Sequence, residues 1–393
     1  MNVYKERVFM DFSTSIKEEE YILKVKQFIG DRIKHNISAW YRNENFPVSI
    51  LKDIYSEGLM GFYETGHKME QEPMANSIIL YEKLSEISPG FAMALLCHAQ
   101  IGLYILYRWG NIWQKQEFMV PGIYGQKLLC FANTEQDAGS DVSAIKMQAK
   151  RVKGGFILSG EKMYITNGVN ANIIIVSAVT DRESLEKKHR LSLFILDERN
   201  TEIKRTLLKK SIWAPSNLAK LTFHDCFVPE ENIIGNLNNG FQIMMKAFNS
   251  ARIAMSALNL GTALGAYKLA LSHACERKVF GSPVFEHQAK SFEFAEHLTK
   301  LEAARLLIKK AAWMRDTGQK YILNSSIAKY FTIETAKSIT GWSAEILGAR
   351  SVLLDHPVNK YTVDTMGSVL GLGTGDIQKL IIARFMHMWD NWE

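Results

Sequence analysis

The stretch Asn133-Thr134-Glu135-Gln136-Asp137-Ala138-Gly139-Ser140-Asp141 decides how this chain is read. It leaves one run of branched and aromatic residues, 128–133, and precedes another, 144–152. Small residues let a backbone come close to a ligand. Backbone N–H groups and hydroxyls in such a turn can hold a flat heterocycle or a phosphate. Taken alone, the stretch is a polar β-turn. Further runs follow at 156–159, 173–179, 191–196 and 221–228, parted by turn residues such as Gly154-Gly155 and those at 197–200. These are strand signals, and six of them in close succession predict a compact β domain over residues 128–236.

On either side the texture is helical. Over residues 17–34, Ile22, Val25, Phe28, Ile29 and Ile33 fall on one helix face. Pro47 marks a helix start. Residues 75–88 and 91–108 continue the pattern, with Pro89-Gly90 as the break. Beyond residue 240, Phe294, Leu298, Leu301, Arg305, Ile308 and Ala312 step by three or four, and most of that stripe reads as core. Residues 241–275, 320–347 and 376–390 behave similarly. The chain therefore divides into an N-terminal helical domain (1–127), a middle β domain (128–236) and a C-terminal helical domain (237–393), an α+β fold. Its 393 residues suit two to three domains.

The net charge of +6 is spread along the chain. Its densest clusters, Lys187-Lys188-His189-Arg190 and Lys209-Lys210, are too short for a nucleic-acid stripe and read as solvated loops. A mildly basic surface suits an acidic partner, such as a carrier protein or a phosphate-rich coenzyme. Cys97, Cys130, Cys226 and Cys275 form no close pair, and read as reduced thiols. The N-terminal residues lack the apolar core of a signal peptide, and no apolar run reaches bilayer length. The expectation is a cytoplasmic protein with no membrane or nucleic-acid partner. GxGxxG, P-loop, HExxH and GxSxG patterns are absent. The ten histidines show no metal-ligand spacing, so no metal is expected.

Three more stretches carry chemistry. Gly160 to Gly168 reads as a strand ending in an Asn167-Gly168 turn. Glu276 to Pro283 reads as a helix end with a glycine stop, and Arg277 offers a donor fork suited to phosphate. Gly371-Leu372-Gly373-Thr374-Gly375 opens the last helix, where an anion or ligand carbonyl can be received.

Together, in this order, these stretches resemble the acyl-CoA dehydrogenase superfamily over nearly the whole chain. The resemblance rests on Thr134-Glu135 with Ala138-Gly139-Ser140-Asp141, and on Gly160-Glu161-Lys162 with Ile165-Thr166-Asn167-Gly168. Val228-Pro229-Glu230-Glu231-Asn232-Ile233-Ile234-Gly235, Arg277 with Phe280-Gly281, and Gly373-Thr374 with Ile377-Gln378 complete it. It implies a C-terminal four-helix bundle, a homodimer or homotetramer, and FAD lying between the β domain and the C-terminal helices. By resemblance, Phe131, Thr134, Gly139 and Ser140 lie along the flavin and the entrance for an acyl thioester. Tyr164 and Thr166 cover one flavin face. Arg277, Phe280 and Gln288 hold phosphates and adenosine of FAD in an adjacent subunit, with Glu345, Gly348 and Thr374 completing that pocket. Ser140 and Arg252 face the substrate.

The family reaction removes an α-proton with a carboxylate while the β-hydride passes to the flavin. Most members place that glutamate where this chain has Leu372, and a minority where it has Ala251. Neither side chain accepts a proton, so the catalytic residue is unassigned. Replacement bases to weigh are Asp376, Glu135, Glu345 and His98. The family's Gln-x-x-Gly-Gly stretch reads Glu345-Ile346-Leu347-Gly348-Ala349, and an Arg-Asp pair reads Val363-Asp364. Three functions follow from the resemblance. One is a FAD-dependent oxidoreductase on an unusual acyl thioester, tethered to CoA or an acyl carrier protein and biosynthetic rather than degradative, passing electrons to an acceptor flavoprotein. Another is a monooxygenase fed by a flavin reductase, which needs no α-proton base. The third is a non-catalytic binding subunit.

Overall fold

The computed structural model describes residues 15–386, apart from 66–67, 187–188, 198, 200–201 and 355. Lys187, Lys188, Asn200 and the end of the expected 376–390 helix lie outside the described residues. The first helix, Ile16–Phe28, starts where Ser15 Oγ accepts the Glu18 N–H, 3.2 Å away. A wider turn, Ile29–Ile33, prolongs it. Val25, Phe28, Ile29 and Ile33 are buried as the stripe predicts, while Ile22 is half-buried. Helices Ile37–Arg42, Ile50–Ser56, Met74–Ser85 and Pro89–Trp109 follow. The last of these corrects one expectation. It is 21 residues long and apolar enough to cross a bilayer, but its most apolar stretch is 94% buried within the protein, as in a core helix. A short hairpin, β1 (Phe62–Thr65) and β2 (Lys68–Gln71), was not legible because most of its residues are polar.

The middle region is a seven-stranded sheet of β3 (Leu129–Ala132), β4 (Gln148–Val152), β5 (Gly155–Thr166), β6 (Ile173–Val179), β7 (Leu191–Asp197), β8 (Ile203–Leu207) and β9 (Leu218–Pro229). The order is β3-β6-β4-β5-β9-β8, with β7 also paired to β6. Every residue of β6 and β7 is buried, which is why both read as unbroken apolar runs. β8 escapes a hydrophobic reading because Ile203 is its only buried residue. β5 runs through Gly160, so two sequence segments are one strand, with register shifts between Leu158 and Gly160 and between Lys162 and Ile165.

The C-terminal region has three long helices, Gly240–Glu276, Gln288–Asp316 and Ile322–Leu347, and two shorter ones, Pro357–Leu370 and Gly375–Met386. In the expected stripe, Phe294, Leu301, Ile308 and Ala312 are buried, whereas Leu298 is exposed. Gly281 does not stop a helix. The helix ends at Glu276, and Phe280 and Gly281, at φ +49° and +89°, form the two-residue turn of a hairpin between β10 (Lys278–Val279) and β11 (Ser282–Pro283).

Two buried polar clusters hold these parts in register. In the first, Lys162 Nζ, fully buried, donates to Glu135 Oε1 (2.9 Å), Asn133 O (3.0 Å) and Ser177 Oγ (3.2 Å). Glu135 also accepts the N–H groups of Lys146 (2.7 Å) and Met147 (2.9 Å). Burial pushes the Lys162 ammonium down to about 8, against the pull of Glu135. Breaking such a pair leaves an uncompensated buried charge. Lys162→Met is expected to destabilise the protein by about 3–5 kcal/mol in guanidinium denaturation, and adding Glu135→Gln should recover part of that. A loss under about 1 kcal/mol for the single variant, no more than a surface pair contributes, would show the pair is not the tie.

The second cluster joins all three regions. Asp364, on the Pro357–Leu370 helix, accepts the Trp213 N–H and the Tyr41 hydroxyl (3.1 Å). Trp213 sits at φ +51°, and its indole lies where a Cβ on Gly367 would fall. Burial raises the Asp364 carboxyl to about 6, outweighing those donors and the nearby Lys210 and Lys360. The folded protein then holds this proton more tightly than the unfolded chain. Between about pH 4 and 6 stability should fall as pH rises. Asp364→Asn should flatten that segment of the pH–stability profile, and an unchanged slope would count against the assignment.

Candidate active site

The turn 133–141 and the end of β5 make one surface. Met163 N–H donates to Thr134 O (2.8 Å), so Thr134 and Tyr164 are held side by side. The Glu135–Lys162 pair beneath fixes the two backbones. Tyr164 takes φ +60° and leaves its ring half exposed. Thr166 is half-buried, and its side chain is hydrogen-bonded to Cys97, whose thiol is pushed up to about 12 by burial. Asn167, at φ +67°, donates to Ala94 O (2.9 Å), fastening the strand end to the Pro89–Trp109 helix. Phe131 packs edge-on against Phe248 of the Gly240–Glu276 helix. Gly139 and Ser140 are exposed, and a Cβ on Gly139 would meet nothing within 4 Å. Phe131, Thr134, Gly139, Ser140, Tyr164 and Thr166 thus belong to one continuous part of the fold.

In the C-terminal region, the turn 371–373 is held through its carbonyls. Lys329, fully buried, donates to Gly371 O (2.5 Å), Ser368 O (3.3 Å) and Gly373 O (3.3 Å). Gln378 Nε2 donates to Gly373 O (3.0 Å) and Leu372 O (3.4 Å). Leu372 takes φ +55° and packs on the core. Thr374 is half-buried, and its Oγ1 accepts the Ile377 N–H (3.3 Å). Ala251 is fully buried, and the next residue, Arg252, is 4% exposed. Arg252 Nη1 donates to Asn249 Oδ1 (2.6 Å).

A third group lies at the far end of the Gly240–Glu276 helix. Arg277, Phe280 and Gln288 are exposed, and so are Glu345 and Gly348 at the end of the Ile322–Leu347 helix. His273 links the two ends. Burial first, then Arg350 and Arg277, hold its imidazole below the usual range. No hydrogen bond or ion pair among the described residues joins this group to the Tyr164 surface within one chain.

The residues fit a flavin cofactor on the evidence of their surroundings. Tyr164 offers a flat exposed ring, Gly139 leaves open space, and the buried Oε1 of Gln378 has no hydrogen-bond partner. Arg277 and Arg350 bring positive charge to the exposed end, where Glu276 and Glu345 are acidic. The four replacement bases differ in their surroundings. His98 is fully buried and neutral at ordinary pH, because burial pushes it down to about 4. Its Nδ1 accepts the Leu129 N–H, and its Nε2 donates to Gly122 O. Glu135 is committed to Lys162 and two N–H groups. Asp376 is 92% exposed and pairs with Lys379. Glu345 is exposed at the far end. Sequence reasoning missed Lys329 and Gln378 as holders of the 371–373 turn. Ile377-Gln378 stood in the quoted motif, but Lys329 sits mid-helix with no local signal.

Models of three domains match the chain: "Acyl-CoA dehydrogenase, N-terminal domain" over residues 16–126, "middle domain" over 130–226 and "C-terminal domain" over 238–387. The chain is 29% identical to a short-chain specific acyl-CoA dehydrogenase of Clostridium acetobutylicum, across 95% of this chain and 99% of that protein. It is 32% identical to a short-chain specific mitochondrial acyl-CoA dehydrogenase of Rattus norvegicus, across 86% and 82% of the two chains. Among solved structures, butyryl-CoA dehydrogenase from Megasphaera elsdenii superposes with a TM-score of 0.90 at 27% identity, covering 96% of this chain and all of that one. By the match of all three domains and the fold they share, this chain belongs to the acyl-CoA dehydrogenase family.

Proposed function

We propose that this flavin-dependent oxidoreductase acts on an acyl thioester without a side-chain carboxylate over the α-carbon. The observation that carries the proposal is the pair of apolar residues at both expected base positions, Leu372 and Ala251, within an otherwise retained surface. FAD, when bound, supplies the two-electron acceptor. Phe131, Thr134, Gly139, Ser140, Tyr164 and Thr166 would hold its ring system. Arg277, Phe280, Gln288, Glu345, Gly348 and Thr374 would hold its phosphates and adenosine across subunits of a homodimer or homotetramer. Full exposure of Phe280 at a hairpin tip supports a neighbour there. The proposed domain divisions come after residues 127 and 236. Lys329 and Gln378 orient the turn carrying Leu372, and Ser140 and Arg252 face the substrate.

The proposed substrate is CoA- or carrier-protein-tethered and biosynthetic rather than a standard degradative ester. One relative at 29% identity is a benzylmalonyl-CoA dehydrogenase, so acyl groups vary among proteins this similar. A structural neighbour at 27% identity is described as an electron-transferring flavoprotein of Acidaminococcus fermentans, which supports a flavoprotein as electron acceptor. The apolar base positions also favour a second reading, oxygen insertion with electrons from a reductase.

The purified protein is expected to show a bound-flavin absorption spectrum that bleaches when the right acyl thioester is added without oxygen. Oxygen uptake that depends on a reductase, with substrate hydroxylation, would select the second reading. A colourless protein that takes up no FAD would sink the first. Leu372 already sits at positive φ, so a glutamate there meets no new backbone strain. General-base catalysis contributes about 10²–10⁴-fold, and Leu372→Glu should raise butyryl-CoA desaturation by about 10²-fold or more. A flavin-loaded variant with no gain would overturn the alignment of this turn.

A further inference from the structure

Two buried cations flank the apolar base positions without a counter-ion. Arg252 follows Ala251 on the buried face of its helix and is 4% exposed. Its Nη1 meets only the neutral amide of Asn249, and its buried Nε has no hydrogen-bond partner. Among the described residues no carboxylate pairs with it. The charged and titratable groups that bear on it are Lys329 and Tyr321. Lys329 spends its protons on the carbonyls of the 371–373 turn, so it adds positive charge without offering a counter-charge. Across Tyr321 lie Arg315 and Arg108, and among the described residues Arg315 pairs with Asp316. Burial holds the Arg252 guanidinium down to about 10, and the Lys329 ammonium down to about 7.

A buried charge is ordinarily paired, and a guanidinium takes carboxylate through two parallel hydrogen bonds. The two places from which this chain could supply a carboxylate, residue 251 beside Arg252 and residue 372 within the Lys329-bound turn, hold alanine and leucine. We propose that the substrate supplies it: the acyl group carries a carboxylate of its own, and Arg252 receives it. The site then selects thioesters of dicarboxylic acids over neutral chains of the same length. This inference rests on the acyl-thioester reading above and narrows its substrate class.

The test is calorimetric titration of the FAD-loaded protein, as purified, with glutaryl-CoA and with hexanoyl-CoA. A charge-assisted pair should make glutaryl-CoA bind about tenfold tighter or more. Arg252→Gln should abolish that preference, read as the ratio of the two affinities within the one variant, which a general weakening of binding does not move. Leu372→Glu supplies the missing carboxylate from the protein, and should reverse the preference. Equal affinities in the unaltered protein, or a preference that survives both substitutions, would overturn the proposal and leave the acyl-thioester reading standing. Binding of neither ester would overturn the proposal and, with it, the CoA-tethered form of that reading. The comparison in the unaltered protein needs no variant to fold.

Discussion

A fully buried lysine facing a nearly buried glutamate is what the site is built around. The ammonium of Lys162 lies inside the β sheet, where an unpaired charge would not survive. Glu135 neutralises it, and in doing so pulls the 133–141 turn onto β5. Oε2 of Glu135 accepts the Lys146 N–H and Oε1 also accepts the Met147 N–H, which fixes the chain where β4 is about to begin. Tyr164 and Thr166 follow Lys162 on the same strand, so their positions are inherited from this pair. The two motifs that stood out in the sequence are therefore one object. Thr134-Glu135 and Gly160-Glu161-Lys162 are the two halves of a single buried contact.

Much of the fold was legible because its signals are local. The apolar runs at β6 and β7 are buried on both faces, and the stripe from Val25 to Ile33 faces the core. What escaped was structure whose cause lies elsewhere in the chain. β8 is an edge strand with one buried residue, and nothing in its own composition compels it. The β10–β11 hairpin was mistaken for a helix end because Gly281 serves either purpose until its partner strand is seen. The site divides in the same way. Its residues could be named because the motifs are contiguous. Lys329 could not, since its partners at 368, 371 and 373 lie on the next helix and turn, about forty positions further along.

The turn at 371–373 is held in a way that leaves the side chain at 372 free to vary without loss of geometry. Its backbone is held through carbonyl oxygens, by Lys329 and by Gln378. None of those bonds involves the side chain at 372. A carboxylate or an isobutyl group is presented on the same frame, and the alteration falls on electrostatics alone.

Trp213 has a different bearing. It belongs to the β region, donates its backbone N–H to a carboxylate on a C-terminal helix, and lies against Gly367 where only a hydrogen fits. Tyr41, from the N-terminal helices, closes the same knot. The three segments are separate in sequence, yet none of them owns this junction. A recombinant chimaera that borrowed its β region from a relative would have to import Trp213, Gly367 and Asp364 as a set. The unit of inheritance at this point is the contact, and it does not respect the domain borders.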